Sequence, residues 1–293
     1  MSSVKIVTDS HSSITREEAL KYNIDVLPTP FRIGDKDYYE GLDLTRDDFF
    51  KMLSEGLDVS TSQPAPTDVM GIWDKALKEH DSVLYMPISS GLSSSCATAT
   101  MLSQEEKYQG RVFVVDHGRI ATPLLRYLID AAEMVKDGMS APDIKDVLER
   151  EREKMCIYLA LDTLEYLKKG GRISAASAVL GTALDIKPVL TLHTGMLSLH
   201  RKCRGIKKAK KTMIELIKND FETKFKDDLE RGDLHLLAAT AASEDVTNEW
   251  IEEIKEAFPG MDVMCAPLSL GVCCHTGEGA LGIGCSCKPY REK

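Results

Sequence analysis

A serine-rich segment at residues 89–95 (SSGLSSS) contains side chains suited to holding an anion. It follows the apolar run 82–88 and precedes a helical segment, and open α/β sheets bind ligands at the carboxyl ends of their strands. A helix N-terminus offers free backbone N–H groups and a partial positive charge, and serine hydroxyls add further donors. Ser93 and Ser94 are therefore candidate anion ligands, although serines at this position also serve simply as helix caps.

A second hydroxyl-rich segment, residues 60–64 (STSQP), also precedes a predicted helix. Thr61 and Ser62 add two hydroxyls to the adjacent amide of Gln63. Alone, this pattern is typical of a turn followed by a helix cap. If the fold brings it to residues 89–95, the two segments would form two walls of an anion pocket.

A glycine-rich segment, residues 275–282 (HTGEGALG), carries His275 and Thr276. It contains GxGxxG, but a dinucleotide site needs a strand before it, a helix after it and an acidic residue about 20 positions on. Because 11 residues follow Gly282, we expect no such site. The glycines predict a tight turn close to a ligand or to another backbone. His275 could donate to a carboxylate there, or could be structural.

Basic residues are concentrated between His200 and Lys211. Apolar residues recur among them at helical spacing, so most of the lysines are expected on the solvated face of an amphipathic helix. Arg204, at the predicted junction of a strand and that helix, is the exception and could point toward a site.

Enzymatic motifs give little support to catalysis, because the sequence has no GxSxG elbow, P-loop or HExxH motif. One alternative is an acyl-transfer or hydrolase enzyme with Ser93 as nucleophile and His275 as base. Another is a binder of small anions such as phosphate, with no cavity for a lipid.

Strands alternate with helices through the first half of the chain. The predicted strands are Val4–Thr8, Ile24–Leu27, Ser82–Ile88 and Arg111–Val115, with a hairpin around residues 34–36. The predicted helix N-caps are Thr15 (with Glu18 as capping-box partner), Thr45, Thr122 and Ser140. This alternation predicts a parallel sheet with helices on both faces.

The second half has a different pattern. The predicted strands are Cys156–Leu161, Lys187–Leu192, Met196–His200, Leu234–Thr240, Met261–Ala266 and Leu281–Cys285. Helices are predicted over 162–184, from Ile206 onward and around 248–258. Residues 193–195 are typical of a hairpin turn. We therefore predict an α/β protein of two domains. Residues 1–153 form a parallel-sheet α/β domain, residues 154–293 form an α+β domain with a mixed or antiparallel sheet, and a ligand lies in the cleft between them.

The composition is that of a globular protein, with 43% hydrophobic and 28% charged residues in 293. A net charge of −9 argues against nonspecific binding to nucleic acid or to an anionic membrane. No apolar run is long enough to insert stably in a bilayer and no signal-peptide pattern occurs, so we expect a cytoplasmic protein. The eight cysteines lack zinc-site spacing, so we expect buried free thiols, no metal and no cofactor.

Taken together, several segments resemble the DegV family. They are Thr8–Ser10, Thr61–Pro64, Ser90–Ser93, Val114–Asp116, Gly170–Ser174, Lys187–Pro188 and Gly277–Gly282. The resemblance implies two α/β domains with a long-chain fatty acid between them. It also implies a role without chemistry of its own, as the fatty-acid-binding subunit of a bacterial fatty acid kinase. The separate catalytic subunit would phosphorylate the bound carboxylate, giving an acyl phosphate for phospholipid synthesis.

The same resemblance implies the roles of individual residues. Thr61 and Ser93 match hydroxyls that hold the carboxylate, Arg204 and His275 match nearby basic groups, and Arg172 matches a position linked to docking of the kinase. The full set of predicted ligand-binding residues is Thr61, Ser62, Ser93, Ser94, Arg204, His275 and Thr276. The chain departs from the family pattern at Glu278, where proline is usual, and at residues 117–119 and 123–125, where small residues and glycines are usual.

Overall fold

The computed structural model describes residues 3–173, 185–193 and 196–289. The strands in this part of the chain are β1 (Val4–Asp9), β2 (Ile24–Leu27), β3 (Pro30–Ile33), β4 (Lys36–Tyr39), β5 (Val59–Thr61), β6 (Ser82–Met86), β7 (Val112–Val114), β8 (Met155–Ala160), β9 (Ile186–His193), β10 (Met196–Arg204), β11 (Leu234–Thr240), β12 (Val263–Pro267) and β13 (Leu281–Cys287).

The helices in the same part are α1 (Arg16–Lys21), α2 (Arg46–Ser54), α3 (Pro66–Ala76), α4 (Ser95–Leu102), α5 (Ala121–Lys136), α6 (Ala141–Arg150), α7 (Glu165–Lys169), α8 (Ile206–Thr223), α9 (Lys226–Glu230), α10 (Glu244–Ala257) and α11 (Leu270–Thr276). A 3₁₀ turn, Ser10–Ser12, follows β1. None of the described helices is long and apolar enough to cross a membrane.

The N-terminal sheet is parallel, in the order β2-β1-β6-β7. Both faces are covered, since every residue of β1 and β6 is buried. Ile6 packs in the core beneath α5 and α6, whereas its neighbour Val7 packs with Trp73 in the core beneath α3 and α4. Alternate side chains of one strand thus enter two cores, as in a sheet between two helical layers.

The C-terminal sheet has the order β10-β9-β8-β13-β11-β12. Only the β11–β12 pair is parallel among its described pairs. One face packs on α8 and α10 through residues such as Met213, Ile217 and Trp250, all fully buried. The other face lies toward the N-terminal half of the chain, where α5 contacts β11 and β13. The predicted fold class, with a parallel N-terminal sheet and a mixed C-terminal one, is confirmed.

A small antiparallel sheet, β4-β3-β5, joins the two halves. Phe31 of β3 and Phe49 of α2 belong to the same core as Leu167 of α7 and Cys273 of α11. The segment from β3 to β5 is therefore N-terminal in sequence but packs on the C-terminal half. The predicted boundary at residue 153 separates the two large sheets and stays a prediction, since this small sheet packs across it.

The predicted cap Thr122 is wrong. Helix α5 begins two residues earlier than predicted, with Ile120 as N-cap, and the Thr122 hydroxyl donates to the Ala238 carbonyl oxygen at 2.8 Å. Ala121 has φ +51°, a left-handed conformation that is strained for alanine. By contrast, the capping box of Thr15 with Glu18 and the caps Thr45 and Ser140 are confirmed.

The helix predicted over 162–184 is much shorter in the described residues, where only Glu165–Lys169 is helical; residues 174–184 lie outside them. The predicted hairpin of β9 and β10 is confirmed by their antiparallel pairing, although residues 194 and 195 of its turn lie outside the described residues. All eight cysteines are free thiols, and all but the half-buried Cys265 are buried.

Candidate ligand-binding site

A cavity between the two halves of the chain collects most of the predicted polar ligands; we call it the polar cavity. Its polar lining residues are His11, Thr61, Ser62, Gln63, Ser93, Arg172, His275 and Thr276. They come from five places: the turn after β1, the end of β5, the loop before α4, the turn after α7 and helix α11. Residues of both hydroxyl-rich segments, 60–64 and 89–95, line this one cavity, and its role as an anion pocket stays a prediction.

The hydroxyl of Thr61 and the imidazole of His275 are joined directly. Thr61 Oγ1 lies 2.8 Å from His275 Nε2. Burial, together with the positive charges of Arg172 and His11, lowers the pKa of His275 to about 4. At neutral pH this imidazole is therefore uncharged. It can donate or accept one hydrogen bond with the threonine, but it supplies no positive charge to an anion.

The imidazole of His275 packs directly against the backbone at Gly170. A Cβ atom at that position would lie 2.2 Å from His275 Nδ1, which is far inside van der Waals contact. The absence of a side chain at residue 170 thus lets the turn after α7 approach α11. The same turn, with Gly171 at φ +67°, directs Arg172 to the cavity.

Arg172 contributes a guanidinium to the lining of the polar cavity. Its Nε donates to the Leu92 carbonyl oxygen at 3.3 Å, and its NH1 donates to the Gly170 carbonyl oxygen. These two bonds fix the guanidinium beside the loop that carries Ser93. The resemblance described above linked Arg172 with docking of the kinase subunit, which stays a prediction. In the structure, Arg172 lines the polar cavity.

Ser93 lies in the turn that leads into α4. Its Oγ forms a 2.9 Å hydrogen bond with Ser95 Oγ and accepts one from the Ser95 backbone N–H at 3.2 Å. The hydroxyl is therefore held at the start of the helix, beside the free N–H groups of its first turn. Ser93 and His275 are not hydrogen-bonded to each other here, since His275 bonds Thr61 instead.

An apolar cavity adjoins the polar one. It lies on the inner face of the C-terminal sheet, where Gly282 and Gly284 of β13 project no side chain, and α5 covers it. Its lining residues are Leu92, Ile120, Ala121, Thr122, Pro123, Ile157, Leu159, Leu192, Leu197, Leu237, Ala238, Ala239, Leu268, Val272, Thr276, Gly282, Ile283 and Gly284. Both cavities are lined by Leu92, Ile120, Leu197, Val272 and Thr276. The polar end and the apolar end are thus two parts of one elongated site.

Two predicted site residues lie elsewhere. Arg204 is exposed at the end of β10 and lines neither cavity. Ser94 is exposed as the N-cap residue of α4 and also lines neither. Leu197 of the same strand does line both cavities, but Arg204 lies seven residues further along β10, about 23 Å away at about 3.3 Å per residue.

Sequence reasoning missed His11 and Gln63 among the polar lining residues. Gln63 Oε1 accepts a hydrogen bond from Thr98 Oγ1 at 3.0 Å, which links the segment 60–64 to helix α4. His11 follows Asp9 at the carboxyl end of β1. Open α/β sheets bind ligands at the carboxyl ends of their strands, and this applies to β1 as much as to β6. The same rule could therefore have identified His11.

Comparison with known proteins agrees with this architecture. The model of the DegV family, described as a family of uncharacterised proteins, matches residues 3–288. The chain belongs to the DegV family. A DegV domain-containing protein of Caldanaerobacter subterraneus is 28% identical over 286 residues, covering 97% of this chain and 98% of the relative.

Two solved DegV structures are similar over nearly the whole fold. A DegV family protein from Thermus thermophilus, described as binding fatty acid, has a TM-score of 0.87 and 29% identity, and the match covers 98% of this chain and 100% of that one. DegV from Bacillus subtilis, described as a fatty acid binding protein, has a TM-score of 0.83 and 26% identity with the same coverage. The elongated site of this DegV chain therefore lies in a fold shared by proteins described as fatty acid binders.

Proposed function

We propose that this protein binds a long-chain fatty acid and presents its carboxylate to a separate kinase subunit. The observation that carries the proposal is that the polar cavity and the apolar one adjoin and share five lining residues. The carboxylate would occupy the polar cavity, near Thr61, Ser93 and Arg172. The acyl chain would extend along the inner face of the C-terminal sheet, over Gly282 and Gly284.

The energetics of a fatty acid fit both ends of the site. A carboxylate that leaves water for a partly apolar site must be hydrogen-bonded, or its transfer is costly. The hydroxyls of Thr61 and Ser93 and the guanidinium of Arg172 are suitable donors, and bonds to charged groups are the stronger ones. The tail contributes about 0.8 kcal/mol for each buried methylene. The similarity to the Thermus thermophilus and Bacillus subtilis proteins supports this ligand class.

The proposed partner reaction leaves this protein chemically unchanged. The kinase subunit would transfer the terminal phosphoryl group of ATP to a carboxylate oxygen. One P–O bond to the nucleotide breaks, one P–O bond to the acyl group forms, and ADP leaves. The binding protein supplies only orientation and desolvation of the carboxylate. We place this reaction, which feeds phospholipid synthesis, in the cytoplasm.

The dependence of affinity on chain length tests the ligand class. We expect the dissociation constants of saturated fatty acids to fall by up to about fourfold for each added methylene until the apolar cavity is filled. Ala239→Leu, which fills part of that cavity, should weaken palmitate at least about tenfold and leave octanoate nearly unchanged. Ala97→Leu on the exposed face of α4 is the matched control. Affinity independent of chain length would indicate a small-anion binder instead.

Substitutions in the polar cavity test the presentation of the carboxylate. With the kinase subunit and ATP, Ser93→Ala and Thr61→Val should each reduce acyl-phosphate formation about tenfold, while Thr61→Ser retains most of it. Full activity of Ser93→Ala would remove Ser93 from the site. Covalent labelling of Ser93 by a fluorophosphonate would support the hydrolase alternative.

A further inference from the structure

His11 is anchored from one side by a fully buried carboxylate. Asp9 Oδ1 accepts hydrogen bonds from the His11 backbone N–H at 3.0 Å and lies 3.1 Å from the ring Nδ1. Asp9 Oδ2 accepts from the Ile88 backbone N–H at 2.8 Å. The carboxylate is therefore fixed by the ends of both β1 and β6. Because an ionised carboxylate only accepts, Nδ1 of His11 carries a proton.

The other ring nitrogen of His11, Nε2, is not bonded to Asp9. His11 lines the polar cavity together with Thr61, Ser93 and Arg172. The ring packs on α11 at Gly271, where an added Cβ would lie 3.1 Å from Nε2. Among the described residues, Nε2 has no hydrogen-bond partner in the protein. It is therefore free to bond a group inside the cavity.

The charged and titratable groups around His11 come from several elements. Asp9 at the end of β1 and Glu40, which follows β4, are acidic, and Glu40 accepts hydrogen bonds from the backbone N–H groups of Leu270 and Gly271 at 2.8 and 3.0 Å. Burial lowers the pKa of His11, but Asp9 and then Glu40 outweigh it, so the pKa is raised above its ordinary value. Arg172 and His275 share the cavity. Burial raises the pKa of Glu40, and the hydrogen bonds from Leu270 and Gly271 and the charges of His11 and Arg46 oppose this shift.

We propose that His11 is a charged ligand of the bound carboxylate, donating from Nε2 while Asp9 holds the ring and balances its charge. This inference rests on the proposed function, because it assigns a contact to the same carboxylate. The two histidines of the cavity then have different roles. His11 contributes charge, whereas the neutral His275 contributes a hydrogen bond to Thr61.

A proton-linked affinity follows from this contact. If the protonated ring binds the carboxylate more strongly, then binding the carboxylate must lower the acid dissociation constant of His11 by the same factor, which raises its pKa. Affinity for a fatty acid should therefore decrease as the pH rises through the pKa of His11. Affinity for an uncharged ligand of the same length should not.

The test compares palmitate with hexadecanol, which have the same chain length and differ in head group. His11→Asn keeps a side-chain donor toward Asp9 and removes Nε2. At pH 6 we expect this variant to bind palmitate at least about tenfold more weakly than the wild type and hexadecanol almost equally well. The palmitate dissociation constant of His11→Asn is divided by that of the wild type, so that titration of the ligand cancels. This ratio should approach one by pH 8.5.

His80→Gln is the matched control, because His80 bonds the Ala76 carbonyl oxygen and lines neither cavity. It should match the wild type for both ligands at every pH. An equal loss of palmitate and hexadecanol binding in His11→Asn, or a palmitate ratio that does not change with pH, would overturn the proposal. Failure of the wild type to bind either ligand would instead contradict the proposed function.

A measurement on the wild-type protein covers the case in which His11→Asn does not fold. The pKa of His11 is followed by NMR of the ring nitrogens, with and without palmitate. We expect palmitate to raise this pKa and hexadecanol to leave it within about 0.3 units. An identical pKa in the free and palmitate-bound protein would refute the contact.

Discussion

The two histidines of the polar cavity lie in contrasting surroundings. His11 lies at the end of β1 against the buried carboxylate of Asp9, whereas His275 lies in α11 against the hydroxyl of Thr61. Both rings pack on a glycine backbone, at Gly271 and Gly170 respectively. The pKa of His11 is raised above its ordinary value, and that of His275 is lowered to about 4.

This difference shows that neighbours, not residue type, decide what a histidine contributes. Burial lowers the pKa of both rings. Only His11 has a carboxylate close enough to reverse that effect, and the carboxylate is there because the parallel sheet places the end of β1 beside the end of β6. His275 has Arg172 nearby instead, which strengthens the effect of burial.

The largest expected effect comes from Gly170→Ala. Its Cβ would lie 2.2 Å from Nδ1 and 2.5 Å from Cε1 of His275, so the ring must move and its bond to Thr61 is lost. We expect the free energy of unfolding to decrease by about 1–3 kcal/mol, measured by urea denaturation. The pKa of His275 should rise toward its ordinary value as the ring becomes more hydrated.

Gly71→Ala in α3 is the control for Gly170→Ala. No heavy atom lies within 4 Å of the added Cβ there, and the residue is helical. The substitution should stabilise the protein by roughly 0.5–1 kcal/mol, because alanine loses less backbone entropy in a helix. If Gly170→Ala were as stable as this control, the close contact of Gly170 with His275 would be disproved.

The polar half of the site was more predictable from sequence than the apolar half. Thr61 and Ser93 could be found because hydroxyl-rich segments at the ends of strands are a local signal. The apolar cavity depends on which face of β13 meets α5, and that is a long-range property. Arg204 was misplaced for the same reason: its position at a strand–helix junction is a local signal, but which end of β10 reaches the site depends on long-range packing, and Leu197, near the opposite end, lines both cavities.

Opposite pH dependences of stability give the next test. The pKa of His275 is lowered, so between pH 6.5 and about 4 the unfolded chain binds a proton that the folded protein does not. Stability therefore falls as the pH falls through this range, by at most about 1.4 kcal/mol per pH unit from this residue. The pKa of His11 is raised, so its contribution is complete below pH 6.5 and is lost as the pH rises through its folded value.

Two variants separate these contributions in urea denaturation series between pH 5 and 8.5. His275→Gln should reduce the loss of stability on the acid side, and His11→Asn should reduce the loss on the alkaline side. His80→Gln should change neither. If both variants changed the dependence of stability on pH in the same pH range, the pKa values of the two rings would not be shifted in opposite directions.

The smallest expected effect comes from Gly271→Ala, the counterpart of Gly170→Ala on the other ring. The added Cβ would lie 3.1 Å from His11 Nε2 and 3.6 Å from Thr29 Oγ1, so a shift of a few tenths of an ångström relieves the contact. Because alanine also favours the helix, we expect the free energy of unfolding to change by less than about 1 kcal/mol.

Palmitate affinity is the more sensitive readout for Gly271→Ala, since a displaced Nε2 would weaken its proposed bond to the carboxylate without unfolding the protein. We expect a loss of about two- to fivefold at pH 6 and none for hexadecanol. A larger loss of stability in Gly271→Ala than in Gly170→Ala would contradict the ranking of the two contacts. It would mean that His11, anchored by Asp9, yields less readily than His275, and that the buried carboxylate determines the rigidity of the site as well as its charge.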